Sequence, residues 1–287
     1  MLIWNAYTRM VDALAFSPDG QTLALAGYHL ACRLIDTTTG QRQWTAESMQ
    51  TFGLSIAFAP KESLLCKSGS LSLVRARDGA PIRKCGNWCR AFGVAPDGRT
   101  AFVADGGFQD LVRRYDLRTG KSRSEVELEA GAINRIAVSP DGELVAVLGC
   151  KRFTLLTARK LEVIASESQR GLSTGAFALA FSPCGRNVIY TAGRTLFVWD
   201  VAAARAVNQI SLDSKHFMDA AFTPDGRRLI TVSKEGMARV WDTTTWACER
   251  CLAWDVGPLR AVAVSPDGTC AAVAGNSGRV VVWDLDA

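Results

Sequence analysis

Histidine is nearly missing from this sequence, with only His29 and His216 among 287 residues. Metal-dependent and acid–base sites are built from clusters of His and carboxylates, so two isolated imidazoles leave too few ligands for a typical metal centre. A run of about 18 apolar residues, the minimum for a membrane-spanning helix, is also absent. Met1 to Met10 contain a single Arg and no apolar core for a signal peptide. Neither a Gly-x-x-x-x-Gly-Lys-[Ser/Thr] phosphate loop nor a Gly-x-Ser-x-Gly nucleophile turn occurs, and the basic residues form no clustered run of the kind nucleic-acid binders carry. The nine cysteines are odd in number and lack the spacing of a disulfide framework. Cys32, Cys66, Cys150 and Cys270 sit inside apolar runs, as small apolar residues do. These features predict reduced thiols and a soluble, cytoplasmic chain.

What the sequence does contain is a repeated unit. From Leu259 to Leu285 an apolar run ends in Ser265-Pro266-Asp267-Gly268, a second run covers Cys270 to Ala274, a Gly-rich turn follows, and a third run closes on Trp283-Asp284. Proline fixes φ near about −65° and cannot continue a strand, while glycine tolerates the positive φ of a tight hairpin. Three strands and two turns therefore fit this stretch. Pro18, Pro60, Pro96, Pro140, Pro183, Pro224 and Pro266 mark the same turn at intervals of 42, 36, 44, 43, 41 and 42 residues. Seven units of one supersecondary motif fill the chain, and a regular period of this size signals repeat architecture. Ala15-Phe16-Ser17-Pro18-Asp19-Gly20, Ala180-Phe181-Ser182-Pro183-Cys184-Gly185, Ala221-Phe222-Thr223-Pro224-Asp225-Gly226 and Ala263-Val264-Ser265-Pro266-Asp267-Gly268 are variants of one sequence. Trp199-Asp200, Trp241-Asp242 and Trp283-Asp284 recur downstream, with Tyr115-Asp116 in the third unit, Val74 in the second, and Leu155 near that place in the fourth.

On these motifs the chain resembles the WD40-repeat family from end to end. The resemblance implies an all-β, seven-bladed β-propeller of four-stranded antiparallel blades around a central channel. It also implies one domain over residues 1–287, its ring closed by the N-terminal strand, Leu2 to Ala6, joining the last blade beside Leu285 to Ala287. Such closure removes a sheet edge that would otherwise be open to aggregation. The family's usual blade histidine is replaced throughout, by Tyr7, Met49, Cys85, Glu129, Leu172, Asp213 and Asp255. The family's His–Ser/Thr–Trp network therefore cannot form here in its usual shape, and apolar packing has to hold the blades.

Two cysteine pairs stand out. In a regular strand, residues three apart point to opposite faces, so Cys248 and Cys251 are not expected to converge on one ion. Cys85 and Cys89 are expected in a connection, within reach of each other. The repeated Asp-Gly pairs are hairpin punctuation rather than calcium ligands. No catalytic residue, metal ligand or cofactor site emerges.

Surface remains, and the family resemblance places partners on the connections before each first strand and after each second strand. The partner-binding candidates there are Trp88, Arg90, Phe108, Arg135, Arg152, His216 and Arg260, because aromatics and arginine dominate interface energetics. With 33 Lys and Arg against 28 Asp and Glu, the net charge of +5 is a mild pull toward acidic partners. The expected function is that of a non-enzymatic platform, a monomer or a module of a larger protein, binding a protein or peptide and no membrane. A second reading has nucleic acid or an anionic small ligand at a basic channel mouth formed by Lys67, Lys151, Arg152, Arg194, Lys234 and Arg279.

Overall fold

The computed structural model describes residues 1–6, 10–27, 30–51, 55–59, 63–68, 70–86, 88–105, 110–168, 177–212 and 216–286. The chain opens with β1 (Leu2–Asn5), followed by a sheet of β2 (Ala13–Phe16), β3 (Thr22–Ala26), β4 (Leu30–Asp36) and β5 (Arg42–Thr51). The next sheet holds β6 (Ile56–Ala59), β7 (Ser63–Ser68), β8 (Ser70–Arg75) and β9 (Pro81–Cys85). After it come β10 (Cys89–Val94), β11 (Thr100–Asp105), β12 (Leu111–Asp116) and β13 (Lys121–Glu127), then β14 (Ile133–Val138), β15 (Leu144–Gly149), β16 (Phe153–Thr157) and β17 (Val163–Glu167). The fifth group is β18 (Leu179–Phe181), β19 (Asn187–Ala192), β20 (Thr195–Asp200) and β21 (Arg205–Ser211), and the sixth is β22 (Phe217–Phe222), β23 (Arg228–Ser233), β24 (Met237–Asp242) and β25 (Cys248–Ala253). Three strands end the chain, β26 (Leu259–Val264), β27 (Cys270–Gly275) and β28 (Arg279–Asp284), and β1 supplies their fourth partner. Seven four-stranded sheets thus form among the described residues.

The chain divides into two compact units, Met1–Ser68 with Ser72–Ile82 and Met218–Ala287, and Gly69–Leu71 with Arg83–Phe217. In the first, β1 runs antiparallel to β28 with Leu2 opposite Val282 and Asn5 opposite Arg279. Leu23, Leu25, Ile35, Val280 and Val282 form a core there, with Trp4 against its edge. Trp4 lies over Gly40, whose φ of 70° and lack of a Cβ permit that approach. In the second unit Phe153 stacks on Tyr190 with ring centroids 4.7 Å apart, and Trp199 tilts against Phe153 at 5.0 Å. Alternation explains these cores: the middle strands carry apolar residues on both faces and the outermost strands are largely exposed.

The Ser-Pro-Asp-Gly turns are held locally. Ser17 Oγ donates to Asp19 and accepts from the Thr22 amide at 2.9 Å, and Asp19 also accepts from the Gln21 amide at 3.0 Å. Ser139 with Asp141, Thr223 with Asp225 and Ser265 with Asp267 repeat the arrangement. These hydroxyl bonds, followed by the amide bonds, hold the four carboxylates below their ordinary value. The fifth turn keeps the geometry with Cys184 in the Asp position, 3.4 Å from Ser182 Oγ.

Register and backbone add two details. By register Leu156, opposite Val145, takes the place held by Trp199 opposite Val188, rather than Leu155. The turn into the outer strand needs a positive φ, which Gly40, Gly79 and Gly120 supply early in the chain. Later the same step is taken by Leu161 at 62°, Ala204 at 50° and Trp246 at 58°. Left-handed backbone costs an L-residue roughly 1–2 kcal/mol, so tertiary pairing imposes this conformation.

Candidate partner-binding surface

A recurrent bulge sets the geometry of the candidate residues. In β10, register passes from Cys89 opposite Asp105 to Ala91 opposite Ala104, leaving Arg90 as the extra residue. The same shift in β14 makes Asn134 the extra residue, and in β26 it makes Arg260 so. All three stand six residues before the proline of the following turn. A bulge leaves its extra residue outside the ladder and re-aims its side chain, which an alternating pattern does not foresee.

In the second unit β10 packs beside β14. Trp88 precedes β10 and is 67% exposed, and Arg90 is exposed beside it. Arg152 is half-buried in the connection from β15 to β16, where the Lys151 and Arg152 amides both donate to Ala130 O. Arg135 starts at the same strand end but is 9% exposed, with Nη1 donating to Asn134 O at 3.3 Å. Trp88, Arg90, Arg135 and Arg152 therefore share one end of two neighbouring sheets. At that end Asp105 accepts from Arg113 at 2.5 Å, and Arg113 also binds Glu125 at 2.8 Å. Exposed aromatic and cationic groups next to paired charges are suited to holding a carboxylate or an aromatic side chain.

Arg260 lies in the first unit and is committed internally. Its Nε donates to Asp12 Oδ1, and Asp12 is 3% exposed. Nearby Asp219 accepts from the Val262 amide at 3.0 Å, tying β22 to β26. His216 is half-buried just before β22, and Phe108 lies outside the described residues. The opposite end of the second unit contains a cavity of about 420 Å³ lined by Asp97, Arg114, Asp141, Glu143 and Arg159, which the sequence reading had not singled out. Its only signal was the Asp-Gly turns, read as punctuation.

The cysteine expectations need correction. Register runs from Val240 opposite Arg250 to Trp241 opposite Cys248, so Glu249 is the extra residue of a bulge. That bulge cancels the alternation and brings Cys248 and Cys251 to one side, with their Sγ atoms 3.5 Å apart. Cys85 and Cys89 are strand residues, the last of β9 and the first of β10, and both are buried. Among the described residues no group of three or more His, Cys, Asp or Glu side chains is arranged to hold a metal ion, and no helix is long and apolar enough to cross a membrane.

Residues 209–242 and 247–284 match the family model "WD domain, G-beta repeat". Periodic tryptophan protein 2 homolog of Dictyostelium discoideum is 21% identical over 96% of this chain and 28% of its own length. Target of rapamycin complex subunit wat1 of Schizosaccharomyces pombe is 23% identical, and Protein LST8 homolog of Drosophila melanogaster 25%, each over 66% of this chain and 61% of its own length. The chain thus spans between about a quarter and three fifths of these relatives. Repeat period, turn chemistry, four-stranded sheets and these matches together support a WD40-repeat family for the chain.

Proposed function

We propose that the chain is a non-enzymatic interaction platform, a single seven-bladed propeller over residues 1–287 whose ring is closed by β1. The seven four-stranded sheets and the pairing of β1 with β28 support that arrangement. Two of the relatives' names support the role, one being a target of rapamycin complex subunit and the other an LST8 homolog. A rigid scaffold that varies its connections while keeping its strands selects partners by surface chemistry, and the occupant we infer is a protein or peptide with acidic character. The setting we infer is the cytoplasm, in keeping with the buried free thiol of Cys85.

The observation that carries the reading is Trp88, a large apolar side chain 67% exposed beside the exposed Arg90. Trp and Arg are the side chains that most often dominate binding energy. Arg135 is buried and Arg260 is held by Asp12, so both serve the scaffold that presents Trp88 and Arg90. A photo-cross-linking amino acid at position 88, compared with one at position 207 on the outer strand β21, tests this in the native host extract. One dominant protein adduct at 88, absent at 207 and lost on Arg90→Glu, is the expected result. Equal adducts at both positions, or nucleic acid alone at 88, would overturn it.

A further inference from the structure

Cys248 and Cys251 lie on β25, the outermost strand of its sheet, where both are exposed and 3.5 Å apart at sulfur. We propose that they form a reversible dithiol–disulfide site, closed by a low-molecular-weight disulfide such as oxidised glutathione, and that closure is felt at the C-terminal segment Leu285–Asp286.

The geometry is built by the bulge. A disulfide bond is about 2.05 Å long, so the sulfurs need to approach by about 1.5 Å. An unbulged strand would hold them on opposite faces. Burial, and then the hydrogen bond shared with Cys251, push the Cys248 thiol up to about 11, so Cys248 keeps its proton in the resting state. Arg239 stands opposite Cys251 in register, and its charge opposes the rise at Cys248 without cancelling it.

The exchange balances as follows. The Cys251 thiolate attacks one sulfur of oxidised glutathione, forming a mixed disulfide and releasing one glutathione thiolate, which takes up a proton. Cys248 then gives its proton to solvent and attacks the Cys251 sulfur, forming the Cys248–Cys251 bond and releasing the second glutathione. Two electrons pass from the protein dithiol to the glutathione disulfide.

The residues between the two cysteines carry the consequence. Glu249 pairs with Arg228 at 3.3 Å, and Arg228 binds Asp286 at 2.9 Å. Arg250 Nη1 donates to Leu285 O at 3.1 Å. Drawing the sulfurs together re-aims Glu249 and Arg250, the residues that bracket Leu285–Asp286. Cys85 and Cys89, by contrast, are buried.

The test uses the full chain, equilibrated across glutathione redox mixtures, acid-quenched, alkylated and cut with trypsin. Cleavage after Arg250 separates the two cysteines, so a disulfide leaves Val240–Arg250 joined to Cys251–Arg260. The expected result is that joined species under oxidising mixtures, its separation by dithiothreitol, and its loss in Cys248→Ser and Cys251→Ser. Separate glutathione adducts on both peptides, both thiols still free in mixtures that glutathionylate Cys184, or a linkage between chains on a non-reducing gel would overturn the site. Amide exchange at Leu285–Asp286 is expected to change severalfold on oxidation in the native sequence and not in Cys251→Ser. Unchanged exchange with the disulfide present would overturn the transmission.

Discussion

Replacing Thr231 with Val puts a number on the one indole hydrogen bond of its kind among the described residues. Trp199, Trp241 and Trp283 occupy equivalent places, opposite Val188, Leu229 and Ala271. Two residues further along the same strands stand Tyr190, Thr231 and Val273. Only threonine presents a hydroxyl to the indole: Trp241 Nε1 donates to Thr231 Oγ1 at 2.9 Å, while the buried Nε1 atoms of Trp199 and Trp283 meet no acceptor among the described residues. Thr231 is 1% exposed and Trp241 7%, so water does not replace the lost partner. Valine keeps the volume, hence no cavity term arises, and the cost is that of leaving a buried donor unmet, about 1–3 kcal/mol. Urea unfolding midpoints, read with the slope held common, give the difference. A double-mutant cycle with Trp241→Phe isolates the pair and should return a coupling of about 1–2 kcal/mol. A coupling below about 0.3 kcal/mol would mean that the bond contributes nothing and that packing alone holds this sheet. Val273→Thr is the reciprocal change; it offers Trp283 an acceptor and should be neutral or stabilising by up to about 1 kcal/mol.

Deleting Met1 to Ala6 removes β1 from β28 and the Trp4 cover from Gly40, and should lower the melting temperature by several degrees; an unchanged melting curve would refute the importance of that pairing. Ala204→Gly relieves a φ of 50° at an exposed position and should raise stability by about 0.5–1 kcal/mol, measured by urea midpoint, whereas Leu161→Gly should lose stability because Leu161 is buried. Asp19, Asp141, Asp225 and Asp267 sit below their ordinary 3.8 in the fold, and Asp116, held first by the Arg123 guanidinium and then by the Thr119 amide, is lowered to about 2. A depressed folded value means that this stabilisation is present above the unfolded pKa and is lost as pH falls through the folded one. Urea midpoints taken from about pH 5 down to about pH 2 should therefore drop mainly below about 3.8, and a drop completed before that point would contradict the assignment. The Ser182 hydroxyl and the Arg186 amide lower the Cys184 thiol as they would an Asp, while the Cys248 thiol is raised. Both are exposed, so iodoacetamide at neutral pH should label Cys184 several times faster by peptide mapping, and equal rates would count against the turn's influence.

Much of the fold was legible because its punctuation is local. The Pro-Asp-Gly turn is made from atoms within five residues of one another, so Pro18, Pro140, Pro224 and Pro266 announce it without reference to any other strand. The period and the three Trp-Asp pairs followed from the same short-range pattern. Of the candidate surface, residue type pointed to Trp88 and Arg90, but Arg135 and Arg260 are the same type and face different neighbours. Nothing local distinguishes a guanidinium in solvent from one held by Asp12, 248 residues away in the chain.

The remaining decisions belong to pairing between strands. Seven repeats, their turns and their apolar runs are written in the order of residues, since φ limits, side-chain alternation and short hydrogen bonds need only neighbours in the chain. Register is different, because it depends on which partner strand takes up the slack. Partner strands made Arg90, Asn134, Arg260 and Glu249 bulge residues, forced Leu161, Ala204 and Trp246 into the conformation glycine holds elsewhere, and turned Cys248 toward Cys251. A one-residue slip reverses every side chain beyond it, so the alternation that located the strands could not also say where it is interrupted.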